Sequence, residues 1–302
     1  MRTLKANITN FSFVFPALLI FSVFYIYPFF YSFILSLTDY NLVEAFNFSK
    51  YYVGFANFTD VLSDKVWWKS MYNGGFITFW ALTFQNILAF ALALAVDKVV
   101  KCKKFYRVVF FILPVLSEII IGLLMKQFMA PDPPGRDVLN HVLANLGMPA
   151  TQNWIGGEYV RLITALVHCW KGFGWAFVIF FAGLQTIPEQ LYEAAKIDGA
   201  SAWHQFTKIT LPLLMPVITL IMVLTILGTM QAFAMILALN GGAAGQTTVP
   251  VMIIFSHLEG GTKLAGLACA EGLVLGLILV VVSFSMFFVS KKVREKYGVL
   301  PN

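Results

Sequence analysis

Four ionisable residues of this chain, Glu118, Lys126, Lys171 and Glu271, fall inside long apolar runs, and they are the first candidates for chemistry. A charge at the centre of a membrane helix costs about 2.5–3.5 kcal/mol even on the mildest scales, so each such group needs a partner or a task. Counted at about 1.5 Å per residue along their runs, Glu118 and Lys171 reach overlapping depths. Lys126 and Glu271 share a second level, nearer the other edge. Two ion pairs, Glu118–Lys171 and Lys126–Glu271, are therefore expected. Two readings stand side by side: the charges staple helices together, or they line a path and hydrogen-bond a hydroxylated or charged solute. Trp170, Phe173 and Trp175 flank Lys171 and could stack on a sugar ring, although aromatic residues in spans also serve plain packing.

Other chemistries find no pattern to carry them. A phosphate-cradling loop requires GxxxxGK[ST], and no Gly-Lys pair occurs in the sequence. There is no HExxH, and His141, His168, His204 and His257 are scattered. Cys102, Cys169 and Cys269 form no CxxC, which argues against a zinc site or a disulfide framework. No catalytic residue, metal or cofactor is expected in this chain.

The second candidate is a polar stretch between two greasy runs, EAAKIDGASAWHQFTKITLP, from Glu193 to Pro212. Pro188 and Glu189 suit a helix start, since proline gives up no needed donor there and the acid faces the positive end of the dipole. PEQLYEAAKID is rich in helix formers, and Gly199 stands where a helix needs a left-handed residue to close. Ser201 is a good N-cap for a second short helix through Trp203 and Phe206 to Ile209. Pro212 and Pro216 then open the next apolar run. Ala194 and Ala195 let another surface come close to the backbone, while Leu191, Tyr192 and Trp203 offer larger contacts. Docking of a protein partner and resting on lipid headgroups both fit such a segment.

The elements that must hold these residues follow from composition. Of 302 residues 59% are hydrophobic and 12% charged, and the mean hydropathy is +0.78. Soluble domains carry roughly 25% charged residues, so the chain is an integral membrane protein. Its apolar runs are long enough for helices rather than barrel strands. Six spans are predicted, at about 11–37, 71–96, 105–130, 159–184, 213–239 and 264–290. The first is too long for a signal peptide and no cleavage motif follows it, so it reads as a retained helix. Thirteen of the 21 basic residues sit on one set of flanks, among them Lys5, Lys103, Arg107, Lys196, Lys208 and Lys292. By the positive-inside rule both termini and the polar island face the cytoplasm. The net charge of +6, distributed in this way, encodes orientation rather than nucleic-acid binding.

The island resembles the EAA motif of ABC-importer permease subunits. Glu193-Ala194-Ala195, three residues, Gly199, nine residues, Ile209, one residue, then Leu211-Pro212 match every motif position. FVFPALLIFSVFYIYPFFYSF, VGFANFTDVL, FYRVVFFILPVL and AGLQTIPEQLYEAAKIDGAS are similar to the sugar-type permeases of binding-protein-dependent systems, the maltose and glycerol-3-phosphate group, so nearly the whole chain is covered. The chain departs from that group at Ala234, where an Asp is common after the Phe.

The resemblance implies a single all-α permease domain, residues 1–302, of the type I importer kind, in a bacterial inner membrane. Residues 185–212 would form a cytoplasmic coupling helix, with Glu193 as polar anchor and Gly199 at the turn. It implies a second permease subunit, two cytoplasmic ATPases that use ATP and magnesium, an external solute-binding protein and surrounding lipid as partners. The cargo would be a sugar or oligosaccharide, with Glu118, Trp170, Lys171 and Glu271 as path candidates. The competing expectation is an ion-coupled secondary transporter in which Glu118 and Glu271 carry protons. Such a transporter needs no docking island and usually shows repeats or paired broken helices.

Overall fold

The computed structural model describes residues 2–42, 45–98, 103–130, 138–147, 153–259 and 264–296. The run APDPPGR (130–136) reads as a turn cluster that stops the third span; from 131 on it lies outside the described residues. Regular structure among the described residues is helical, apart from one antiparallel bridge between Thr38 and Tyr52. Two compact units emerge: residues 1–65 with 253–276, and residues 66–252 with 277–302.

The first unit opens with α1 (Arg2–Phe21), a π-helical turn (Ser22–Ile26) and α2 (Tyr27–Ser36). Together Phe13–Ser36 has a mean hydropathy of 2.1 and is largely exposed up to buried Leu35 and Ser36, so it is made to be covered by lipid or protein. The chain then turns through α3 (Phe48–Tyr51) and α4 (Ala56–Ser63). Buried Asn57 donates from Nδ2 to the carbonyls of Ser36 (2.8 Å) and Thr38 (2.7 Å), which satisfies acceptors left open at the end of α2.

The second unit holds the rest. α5 (Lys65–Trp80) passes through a π turn (Ala81–Gln85) into α6 (Asn86–Lys98). Next come α7 (Lys103–Val115), α8 (Glu118–Met129), α9 (Val138–Asn145) and α10 (Val160–Leu184). After them run α11 (Glu189–Ile197), α12 (Ala202–Gln205), a π turn (Phe206–Thr210), α13 (Leu211–Met230) and α14 (Ala234–Asn240). α15 (Pro250–Glu259) and α16 (Ala265–Lys296) close the chain and each crosses from one unit to the other.

α10 is the central post of this unit, packed against α6, α7 and α13. Ala89 and Ala93, one turn apart on α6, are fully buried among Phe173, Phe177 and Phe180 of α10. Small residues at that spacing let two membrane helices approach closely. A second cluster joins Ile121 of α8 to Met235, Ile236 and Leu239 of α14. Gly122 makes the approach feasible, because a Cβ there would fall 2.6 Å from the Met235 carbonyl oxygen. Hydroxyls and amides tie helices across the interior: Thr78 to Thr229 at 2.7 Å, and Asn86 to Thr225 at 3.1 Å. The Gly-rich connector after α14 is pinned as well, by Asn73 Nδ2 to the carbonyls of Gly245 and Thr248 and by Arg161 Nε to that of Gln246.

Among the described residues, five helices are long and apolar enough to cross a membrane. The third predicted span differs. It is a pair, α7 and α8, bent by 89°. Pro114 has no N–H for the Phe110 carbonyl, and Ser117 takes an extended conformation (φ −57°, ψ 139°), so the helix cannot continue. The Phe110 oxygen and Pro114 lie against Gly174 of α10, where no Cβ would fit. The GFGW glycines thus permit close approach, as their size suggested. The fifth span also differs. It begins at Ala202 rather than near Leu213 and stops at Met230, with α14 a separate helix.

Two of the three π turns have a simple cause. Each is followed by one residue and then a proline, Pro28 or Pro212, and the residue between bonds back five positions (Tyr27 to Ser22, Leu211 to Phe206). The wider turn absorbs the donor that proline lacks. The π turn at Ala81–Gln85 has no proline after it, and it ends on Gln85.

Candidate functional site

The polar island is a helical hairpin. α11 starts after Pro188, which stands at the N-cap position rather than inside the first turn. It ends on a left-handed Gly199 (φ +75°), with Ala200 N bonded to the Ala195 carbonyl (2.8 Å) and Gly199 N to that of Lys196 (3.1 Å). These two bonds close the helix and need a residue without a Cβ penalty at position 199. Ser201 caps α12 by accepting from the His204 N–H at 3.2 Å.

The inner side of the hairpin is tied down. Tyr192 and Thr210 share a hydroxyl hydrogen bond of 2.8 Å, and Gln205 Nε2 donates to the Ala200 carbonyl at 3.0 Å. Phe206 packs on Phe90 of α6 with ring centres 6.0 Å apart. The outer side is bare: Glu193 and Ala194 are exposed, Trp203 is 73% exposed and Ile197 87%. Of the remaining motif residues, Ala195, Ile209 and Leu211 are half-buried and Pro212 is buried. Ile197 and Trp203 thus leave apolar surface uncovered on the outer side of the hairpin. The second half of the hairpin runs without interruption into α13 as one helix, Ala202–Met230.

That helix leads to a cavity. A half-open cavity of about 360 Å³ is lined by side chains of the π turn between α5 and α6, α7, α8, α10 and α13, with Gln85, Glu118, His168, Lys171, Trp175 and Thr225 among its walls. Lys171 Nζ and Glu118 Oε1 meet at 2.6 Å, so the first expected ion pair is present, and it also lines the cavity. Glu118 sits at the first position of α8, immediately after the break, with its carboxylate in the positive field of the helix start. Gln85 is buried, and its Oε1 has no hydrogen-bond partner. Gly172 faces that amide and leaves no room for a Cβ.

The other path candidates lie elsewhere. Trp170 is 42% exposed and does not line the cavity, whereas Trp175 does. Glu271 belongs to the first unit, where it is buried and bonded to His257 Nδ1 at 3.0 Å rather than to the expected Lys126. Gln85, His168, Thr225 and Thr229 were not singled out from the sequence. A search for any polar side chain inside a span, rather than for charged ones, would have found Gln85 in the apolar run TFQNILAF.

A helical chain with several spans, a hairpin bare on its outer side and a polar cavity partly walled by the same helix fits a membrane transport permease. The chain belongs to the family described as the binding-protein-dependent transport system inner membrane component, whose model matches residues 85–295. It is therefore a multi-pass inner-membrane permease of an ABC import system, and the ion-coupled alternative is set aside. It is similar to the sn-glycerol-3-phosphate transport system permease protein UgpA of Agrobacterium fabrum, 30% identical over 84% of this chain and 86% of that one. It is also similar to the probable starch degradation products transport system permease protein AmyD of Thermoanaerobacterium thermosulfurigenes, 25% identical over 95% and 96%. In fold it resembles a bacterial ABC transporter that imports the acidic polysaccharide alginate, with a TM-score of 0.79 and 21% identity over 96% of this chain and 98% of the other. A second structure of a bacterial alginate ABC transporter, in complex with a pentasaccharide-bound periplasmic protein, gives 0.81 at 21% identity over 97% of each.

Proposed function

We propose that this chain is one of two permease subunits that together form the membrane path of a sugar or oligosaccharide importer. The observation that carries the proposal is the rigid hairpin 189–210, bare on its outer face and continuous with the helix that walls the cavity. Both termini and the hairpin face the cytoplasm, in keeping with the distribution of lysine and arginine. The hairpin seats in one of two ATPase subunits, which supply ATP and magnesium chemistry from outside this chain. A solute-binding protein delivers cargo on the opposite side. The carbohydrate class rests on the names of the similar permeases, which include starch degradation products and arabinooligosaccharides.

Closure of the ATPases on ATP moves the hairpin. Because the hairpin is bonded to itself and fused to α13, the movement passes into the cavity wall rather than dissipating in a loop. Gly199→Val places a β-branched residue at φ +75°, which costs about 1–2 kcal/mol and unwinds the turn. The expected result is loss of most ATPase association and at least a tenfold fall in uptake. Glu193→Ala is expected to weaken association without unfolding the exposed helix end. Pull-down of the ATPase and uptake of radiolabelled sugar measure both; wild-type behaviour in the two variants together would overturn the docking role.

A further inference from the structure

We infer that Glu118 is a resident counter-ion that fits the cavity to neutral hydroxylated solutes and closes it to anionic ones. The inference rests on the permease reading and refines its cargo class.

Two features of the cavity would by themselves attract an anion. One is Lys171 Nζ. The other is the start of α8, a helix of 12 residues whose first-turn amides and dipole point positive charge at whatever lies before Glu118. Helix starts exposed by a break in mid-membrane are natural seats for anionic groups of a cargo. Here one carboxylate stands at the first position of that helix start and binds Lys171 Nζ at 2.6 Å. The pair leaves no net charge on the wall and no free cation for a phosphate or uronate.

What remains open has the opposite demand. Gln85 is 1% exposed, and its Oε1 is an acceptor without a donor. A buried acceptor left unpaired costs about 1–3 kcal/mol, so a solute that brings a hydrogen favours a turn of the Gln85 amide from Gly172 towards the cavity that Gln85 lines. Thr225 and Thr229 cannot serve, since their hydroxyls already donate to the carbonyls of Ile221 (2.7 Å) and Thr225 (2.8 Å). A sugar hydroxyl supplies the donor, and Trp175 offers a ring face beside it. A carboxylate or phosphate brings only acceptors and would set them against Gln85 Oε1 and Glu118.

The test uses the whole transporter, with ATPases and partner permease, in lipid nanodiscs at pH 8, above the ordinary range of the His168 imidazole. Equilibrium binding of radiolabelled maltose is compared with that of a matched acidic disaccharide, digalacturonate. Wild type is expected to retain maltose and exclude digalacturonate. Glu118→Gln frees Lys171 and the start of α8, and the ratio of acidic to neutral binding should rise at least tenfold and fall again with added salt. Glu118→Gln with Lys171→Gln together should restore the neutral preference, and Gln85→Leu should lower maltose binding without raising digalacturonate binding. A ratio unchanged within twofold in Glu118→Gln, or wild-type binding of the acid as tight as that of maltose, overturns the inference. So does an assembled transporter whose cavity binds neither sugar. Failure of the ATPases to assemble with the wild-type chain overturns the permease reading instead.

Discussion

At the level of single residues, the chain places its charges where a second group can hold them. Glu118 meets Lys171, and Glu271 meets His257. His257 lies on the short helix α15, outside the spans. Donating a hydrogen bond to the Glu271 carboxylate raises the His257 pKa above 6.5; burial opposes the rise, and the charges of Glu271 and Asp64 add to it. A raised pKa in the folded state means stability that is fully present below the unfolded value and is lost as pH climbs through the folded one. The unfolding midpoint of the detergent-solubilised protein should therefore exceed that of His257→Gln at pH 6, and the gap should shrink towards pH 9. A gap that widens with pH would show that the imidazole is held neutral. The same pair shows where charge counting from sequence falls short. Depth along a helix brought Glu118 and Lys171 together correctly, but it assigned Glu271 to Lys126 because histidine was not weighed as a partner. Nor did depth along a straight helix hold for Glu118, which stands beyond an 89° bend.

At the level of elements, small residues decide which helices can meet. Gly122 of α8 has the Met235 carbonyl 2.6 Å and the Ala238 Cβ 2.8 Å from where its own Cβ would be. Gly75 of α5 has nothing within 4 Å. Gly122→Ala must push α8 away from α14, at a cost of about 1–3 kcal/mol for overpacking against backbone. Gly75→Ala gains helix propensity, up to about 1 kcal/mol, and meets no neighbour. Thermal unfolding in detergent should show a clear fall for the first and no fall for the second; equal effects would mean that the α8–α14 contact is looser than it looks. Hydropathy made the existence of the spans legible, since burial in lipid is a matter of composition. It could not show the break at Leu116–Ser117, because a bent helix and a straight one have the same hydropathy. The continuity of α12 with α13 was hidden for a related reason. Pro212 reads as a helix start, and only the π turn before it reveals that the helix has already begun. The turn of the hairpin, by contrast, was legible, because Gly199 closes α11 in the left-handed region and Ser201 caps α12, local work that sequence spacing records.

At the level of the whole molecule, the question is how the hairpin could act on a cavity that the same helix lines farther along. From Ala202 to Thr225 is about 35 Å along one helix, which spans most of the membrane's apolar thickness. A helix transmits a push only while its hydrogen-bond ladder is unbroken. At Phe206–Thr210 the ladder is the wider π form, and side contacts shore it up: Tyr192 bonds Thr210, and Phe206 rests on Phe90. Two glycines inserted between Ile209 and Thr210 would leave the exposed docking face intact while cutting the rod above it. ATPase association should stay within about twofold of wild type, and ATP hydrolysis should continue. Uptake should fall at least tenfold, because closure of the ATPases would no longer reach Thr225 and the cavity wall. Parallel loss of association and uptake would instead mean that the hairpin depends on α13 for its own shape. Full uptake with the rod cut would mean that the force travels by another route, through the Phe206–Phe90 contact into α6 and the Gln85 side of the cavity.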